Sequence, residues 1–305
     1  MEERQMKKTI TMFLAAALAA VSLAGCGGQT PSTSGGSTPA TDNTEKSLGE
    51  ITVVSREDGS GTRGAFIELF GIEVKGEDGT KKDMTTKEAV IANKTDVMMG
   101  NVAGDPAAIG YTSLGSLNDT VKALSIDGAA ASAENVKNGT YSIARPFNIA
   151  TNGEATGLAK DFIDFILSAE GQQVVSGSYI AIDANAPAYA GTKPSGKISV
   201  AGSSSVTPVM EKLKEAYLAI NSGAEIEIQM TDSTAGMTAA MEGVCDIGMA
   251  SRELKPAEAE KLTGISIALD GIAVIVSPEN PIDGMTSAQV QSIFTGETTS
   301  WDNVK

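Results

Sequence analysis

Ile51-Thr52-Val53-Val54 is a short apolar run that predicts a buried strand, and Ala65 to Phe70 carries apolar residues at helical spacing. Between them stands Ser55-Arg56-Glu57-Asp58-Gly59-Ser60-Gly61-Thr62-Arg63-Gly64, polar and rich in glycine. The same order of strand, small-residue loop and helix returns twice. Lys197 to Ala201 predicts a strand and Gly202-Ser203-Ser204-Ser205 a loop. Val206 to Ala219 predicts a helix, with Pro208 in its first turn and Val209, Leu213 and Tyr217 along one face. Ala224 to Met230 alternates as a strand does, Thr231-Asp232-Ser233-Thr234-Ala235-Gly236 is the third loop, and Met237 to Gly243 reads as helical.

The remaining pattern is of the same mixed kind. Gly71 to Thr86 is polar with a turn at Glu77-Asp78-Gly79, and Lys87 to Asn93 reads as a helix. Val97-Met98-Met99 and Ala108 to Tyr111 read as short buried segments, and Val121 to Ile126 and Tyr141 to Ile149 as strands. Gly157 to Ser176 reads as one amphipathic helix whose Leu158, Phe162, Phe165 and Ile166 share a face, so those aromatics belong to a core. Ala186 to Gly196 is a connector rich in Ala, Gly and Pro. Asp246 to Ala250 is a short strand ending at Ser251-Arg252-Glu253, and a helix starts at Pro256. Gly271 to Val276 is a near-continuous apolar strand, and Thr286 to Phe294 is the last helix. The class is α/β.

The first residues stand apart from this pattern. Lys7 and Lys8 precede a short apolar stretch, Ile10 to Leu23, closed by Leu23-Ala24-Gly25-Cys26. This is a secretory signal, too short and wrongly flanked for a spanning helix, and Met6 is its more conventional start. Its end resembles the bacterial lipobox, which implies cleavage after residue 25 and a lipid on Cys26. Residues 26–47 are Gly, Ser, Thr and Pro with few apolar positions, the composition of a flexible tether. Beyond Cys26 the one cysteine is Cys245, so no intrachain disulfide is expected there and a buried, inert thiol is. The formal net charge is −15, and the signal segment carries more basic than acidic residues, so the mature chain is more acidic still. That surface argues against a nucleic-acid partner and repels anions at long range.

The three loops change the picture. At a helix N-terminus the first N–H groups lack intrahelical partners and the helix dipole is positive. Gly59 and Gly61 let the backbone approach a ligand, Ser60 and Thr62 add hydroxyls, and Arg56 adds a fixed cation with a planar fork of donors. Together these suit a tetrahedral oxyanion held by local dipoles and hydrogen bonds. One such loop is equally well a capped helix; three in one chain, with Arg56 and Ser251, are harder to explain by capping. Two enzyme motifs fail on spelling. Gly64 is followed by Ala65 where a Walker A loop needs Lys, and Asp58 stands where a nucleophile elbow needs Gly. The chain has no histidine to activate a serine, and an enzyme is not expected.

Arg56-x-x-Gly59-Ser60-Gly61-Thr62, Gly202-Ser203-Ser204-Ser205, Asp246 to Arg252 and Ile293-Phe294-Thr295-Gly296 with Trp301 resemble the phosphate-binding protein of high-affinity phosphate ABC importers, and the likeness covers nearly all of residues 48–305. The resemblance implies a two-lobe periplasmic-binding-protein-like fold of type II that closes over its ligand. The motif order differs from the family's usual one, in which the Gly-Ser-Ser-Ser segment opens the mature domain and the Phe-Thr-Gly…Trp segment runs into the Arg56 strand. A circular permutant is therefore expected, with the old termini joined through Ala186 to Gly196. Mapped onto this order, residues 48–117 with 272–305 form one lobe and 118–271 the other. The crossings then fall at Ile272 to Val276 and near Leu117 to Ala123.

By the same resemblance Arg56, Ser60, Gly61 and Thr62 hold phosphate from one lobe, and Ser204, the backbone of Ser205 and Ser233 from the other. The family's aspartate that accepts the proton of hydrogen phosphate falls at Ser251 in some alignments, and Asp232 is offered as its replacement. The implied protein is a monomeric, lipid-anchored receptor on the outer face of the cytoplasmic membrane, without cofactor or metal, delivering inorganic phosphate to ABC permease subunits. A receptor for sulfate or molybdate and a surface phosphate sensor without transport are the alternatives.

Overall fold

The computed structural model describes residues 48–77 and 79–304, so the expected signal and tether lie outside the described residues. The chain runs β1 (Thr52–Arg56), α1 (Gly61–Leu69), a hairpin of β2 (Glu73–Lys75) and β3 (Lys81–Asp83), β4 (Val90–Ala92), α2 (Thr95–Ala103) and β5 (Ala108–Ser113). Short strands β6 (Lys122–Ala123) and β7 (Ser125–Ile126) and helix α3 (Ala133–Lys137) lead to β8 (Ala144–Thr151), α4 (Gly157–Leu167) and α5 (Ala169–Val175). Then come β9 (Gly196–Ser203), α6 (Thr207–Ile220), β10 (Ala224–Thr231), α7 (Ser233–Met241), β11 (Ile247–Ala250) and α8 (Pro256–Ala259). The 14-residue β12 (Thr263–Val276), β13 (Gly284–Met285) and α9 (Ser287–Thr295) follow.

The strands lie in the order β10-β9-β11-β8-β12-β5-β1-β4. At one end β9, β10 and β11 are parallel, at the other β1, β4 and β5 are. Antiparallel β8 and β12 join them: β12 pairs β8 through Gly271 and β5 from Ile272 onward. Each end has its own core. Val54, Tyr111, Ile275 and Phe294 pack in the first, where the Phe66 ring stacks on Tyr111 at 3.9 Å. Phe147, Phe162, Val200 and Leu213 pack in the second, with a smaller cluster around Met237, Ala240 and Leu262 under α7. These are the two lobes.

Val121, Leu124, Ile126, Val136, Tyr141 and Ile143 pack into the first core. The boundary expected at residue 118, with a crossing at Leu117 to Ala123, is thereby corrected: the chain passes between lobes at the start of β8, where Ile143 lies in one core and Phe147 in the other. Lys87 to Asn93 is a turn followed by β4, whose Val90 and Ile91 pair beside β1, as suits β-branched residues on an edge. Val97 to Met99 lie inside α2, whose buried Thr95, Met98, Met99 and Val102 recur at helical spacing. Gly157 to Ser176 is two helices. Ser168 takes an extended backbone between them, and its hydroxyl accepts the Gly171 N–H as the cap of α5.

The connector at 186–196 is tied down by one buried acid. Asp161 of α4 accepts hydrogen bonds from the Tyr189 hydroxyl, from the Tyr217 hydroxyl at 2.6 Å and from the Thr192 N–H at 2.7 Å. Burial opposes its ionised form, but these donors outweigh burial and hold Asp161 below the usual carboxylate range. A depressed folded pKa adds stability that is present above the unfolded value and lost as pH falls through the folded one. Asp161→Asn should therefore destabilise the protein at pH 7 by about 1–3 kcal/mol. In urea melts the gap between wild type and variant should narrow on acidification below the ordinary carboxylate range. A gap that does not change with pH would refute this role.

Candidate functional site

Four helices begin where the lobes meet, and the residues at their starts are small and hydroxylated. Ser60 caps α1, its hydroxyl accepting the Arg63 N–H at 3.3 Å, and Gly61 and Thr62 form the first turn. Thr95 opens α2, Ser204 and Ser205 lie in the turn leading into α6, and Asp232 caps α7 ahead of Ser233. Ser251 follows the end of β11. Ser60, Thr62, Thr95, Ser204, Ser205, Ser233 and Ser251 are all buried.

The two lobes touch through these groups. Thr62 and Ser205 hydroxyls lie 2.9 Å apart, and Thr95 Oγ1 is 3.1 Å from Ser204 Oγ and 3.2 Å from Ser205 Oγ. Within the second lobe, Ser251 Oγ is 2.9 Å from Ser203 Oγ and 3.4 Å from Ser233 Oγ, and its N–H donates to Ser233 Oγ at 3.1 Å. The Thr234 N–H donates to Gly59 O at 3.2 Å. Gly61 is tight against the second lobe: a Cβ there would stand 2.4 Å from Ser233 Oγ and 2.7 Å from Ser251 Oγ.

Arg56 is 2% exposed. Its Nη2 donates to Ser204 Oγ at 3.0 Å, and its Nε and Nη2 grip the Glu57 carboxylate at 2.8 and 2.7 Å. The Ala92 carbonyl and the Thr95 hydroxyl complete its surroundings at 3.2 and 3.4 Å. The Arg56 N–H donates to the Tyr111 hydroxyl at 3.0 Å, a phenol whose pKa burial pushes up, so it stays neutral. Arg63 braces the loop from outside, with Nη1 on the Arg56 carbonyl at 2.8 Å and Nε on Asp83 at 2.8 Å.

Of the residues expected in the site, Arg56, Gly61, Thr62, Ser204, Ser205, Ser233 and Ser251 meet in this buried cluster, while Ser60 is buried beside it with its hydroxyl on the Arg63 N–H. Asp232 is half-exposed; its Oδ1 accepts the Ala235 N–H at 2.8 Å, and its carboxylate lies against Gly59. Cys26 lies outside the described residues. Sequence reasoning missed two members. Thr95 joins the Ser204–Ser205 cluster; its signal was the helical spacing of Thr95, Met98, Met99 and Val102 directly after β4, a fourth strand-to-helix loop. Arg252 lies over Gly61 and Gly64, its Nη2 on Thr234 Oγ1 at 3.2 Å and its fork on Glu258 at 2.7 and 2.8 Å. Burial disfavours the Glu258 carboxylate, but the Arg252 bonds and the Lys255 N–H outweigh it and hold its pKa down. The site thus has a wall of hydroxyls and helix-start N–H groups, with two guanidinium groups each matched by one carboxylate. Such a wall binds a small anion through many short hydrogen bonds.

A family model described as a PBP superfamily domain matches residues 43–170 and 187–305. A phosphate-binding protein PstS 2 of Streptococcus agalactiae serotype V is 53% identical over 266 residues, covering 86% of this chain and 90% of that protein. A phosphate-binding protein PstS 2 of Streptococcus pneumoniae serotype 4 is 45% identical over 301 residues, covering 98% of this chain and 99% of the relative. Among solved structures, a phosphate-binding protein of a phosphate ABC transporter from Streptococcus pneumoniae TIGR4 aligns with a TM-score of 0.68 at 48% identity, covering 84% of this chain and all of that one.

Proposed function

The chain belongs to the PBP superfamily and, within it, to the phosphate-binding proteins of phosphate ABC transporters, and on that footing we propose that it captures inorganic phosphate between its lobes and delivers it to an ABC permease. The observation that carries this reading is the meeting of Arg56, Gly61, Thr62 and Thr95 of one lobe with Ser204, Ser205 and Ser233 of the other. Hydroxyls that bond one another across the cleft can turn to an oxyanion instead, and each bond to the charged guest contributes about 1.5–3 kcal/mol. The N–H groups of Gly61 and Thr62 add donors that need no charge of their own, and the Ser205 N–H adds another on leaving Ser203 Oγ, to which it donates at 3.3 Å. The function is binding rather than turnover, as in the phosphate-binding proteins this chain is similar to, and the chain has no histidine.

The phosphate contacts assigned here are Arg56, Ser60, Gly61, Thr62, Ser204, Ser205, Ser233 and Ser251, with Thr95 added on geometry. A dianion carrying one proton is told from sulfate by an acceptor for that proton, and Asp232 is the assigned acceptor because its carboxylate rests on Gly59 at the rim. Asp232→Asn should weaken phosphate binding about tenfold and bring sulfate closer to it, the scale of one lost hydrogen bond to a charged group. Separate calorimetric titrations with the two anions measure this; an unchanged preference would remove Asp232 from the role, leaving it a helix cap.

The receptor works outside the cytoplasm as a monomer, held to the membrane by lipid on Cys26. No helix among the described residues is long and apolar enough to cross a membrane. The motif order is that of a circular permutant. Support comes from the pairing of Gly49 to Ile51 with Thr299 to Trp301: Ile51 N–H donates to Thr299 O at 2.8 Å and Trp301 N–H to Gly49 O at 3.0 Å. Those are the segments that run into each other in the family's usual order.

A further inference from the structure

Among the described residues, the buried side-chain atoms without a hydrogen-bond partner are Thr112 Oγ1, Ser113 Oγ, Ser116 Oγ, Arg145 Nε and Nη1, and the Tyr179 hydroxyl oxygen. They are not scattered through the molecule. Thr112 and Ser113 end β5, and Ser116 lies in the turn after it, all on the side of the first lobe. Tyr179 packs in the second core. Arg145 begins β8 directly opposite Asp270 of β12, so it sits where both strands pass between the lobes.

The group is held together closely. Arg145 Nη2 donates to Asp270 Oδ2 at 3.2 Å, with both side chains almost fully buried. The Gly115 N–H donates to Asp270 Oδ1 at 3.1 Å. The Tyr179 ring lies on Gly115, where a Cβ would be 2.1 Å from it. Its hydroxyl faces those of Ser113 and Ser116, without bonding geometry to either.

Arg145 has N–H groups to spare on Nε and Nη1, and the hydroxyls of Ser113, Ser116 and Tyr179, which can each donate or accept, bond nothing in this arrangement, while each Asp270 oxygen already accepts one hydrogen bond. Buried donors of this kind are rarely left alone in a folded protein. Their partner must be small and must bring lone pairs. A charged partner is disfavoured, because Arg145 and Asp270 already neutralise each other and a further charge would be buried without a counterion. A water molecule meets these needs, and sites with two to four polar neighbours are where buried water is found.

We propose that the hinge encloses ordered water bound to Arg145 Nε and Nη1, the Tyr179 hydroxyl and the Ser113 or Ser116 hydroxyl. That water is the joint between the first lobe's hydroxyls and the second lobe's tyrosine, at the point where β8 and β12 cross.

Two measurements on the full mature protein test it. A crystal structure at high resolution should show a water within about 2.7–3.2 Å of Arg145 Nε or Nη1 and of the Tyr179 hydroxyl. A bromide-soaked crystal should show no anomalous peak there. A bromide peak would make this an anion site, and direct side-chain bonds with no density between them would remove the site; either overturns the proposal. The second measurement is the urea midpoint of Tyr179→Phe. If the hydroxyl holds water, its removal lowers the midpoint. If the hydroxyl is truly unpartnered, removing it leaves the midpoint unchanged or raises it, which would also overturn the proposal.

Discussion

Arg56→Ala is expected to weaken phosphate binding by roughly a hundred- to several-thousandfold. The reason is the burial of the guanidinium, 2% exposed and aimed at Ser204. A buried dianion that loses its assigned cation is left uncompensated in a low-dielectric site, a loss of about 3–5 kcal/mol. The variant also leaves the Glu57 carboxylate without its bidentate partner. That negative group then faces the site and opposes the anion further. Arg56→Ala combined with Glu57→Gln should therefore bind better than Arg56→Ala alone, yet far more weakly than the native protein. Arg56→Lys keeps a charge but loses the planar fork that spans Glu57 and Ser204, and should fall between the two. Isothermal titration with phosphate measures all three. Native affinity in Arg56→Ala would refute the assignment of this residue to the anion.

The strand–loop–helix triplets were legible in the sequence because each couples a local pattern to a local structure. The apolar run at 51–54, the cap at Ser60 and the spacing through Phe70 lie within a span of 20 residues and need no distant partner, and β1 and α1 formed where they predicted. At the other two the order held but the bounds moved: β9 and β10 run on through Ser203 and Thr231, and α7 starts at Ser233, inside the stretch read as loop, because Asp232 caps it there. What was not legible depends on partners far away in the chain. Val90 to Ala92 is a strand because β1 lies beside it, a pairing across some 36 positions that no window of ten residues contains. Ser168 breaks a helix whose apolar face continues on both sides, because its hydroxyl takes over the Gly171 N–H. The lobe boundary was misplaced for a related reason. Leu124, Tyr141 and Ile143 are apolar in either core, and only three-dimensional packing assigns them to the first. Thr95 entered the site through that same unseen strand.

Gly61→Val should weaken phosphate binding by at least about a hundredfold by a different route, leaving the folded lobes intact. Gly61 is the first residue of α1 and has no positive φ, so its backbone accepts a side chain. The space does not. A Cβ alone would press on Ser233 Oγ, Ser251 Oγ and the Arg252 side chain, all from the opposite lobe. Ser233 and Ser251 are buried and bonded to each other, and Arg252 is anchored on Glu258, so none can withdraw freely. Moving the lobes apart relieves the clash at the least cost, and it breaks the Thr62–Ser205 and Thr95–Ser204 contacts together. Overpacking of this kind costs about 1–3 kcal/mol by itself. The separated hydroxyls then no longer converge on one anion, so an affinity loss of at least about a hundredfold is expected. Thermal melting without phosphate should be little changed, because α1 keeps its contacts with the first core. Small-angle scattering with saturating phosphate should show the native protein more compact than the variant. A variant that binds phosphate normally and contracts as the native protein does would show that the lobes need not meet at Gly61 for capture.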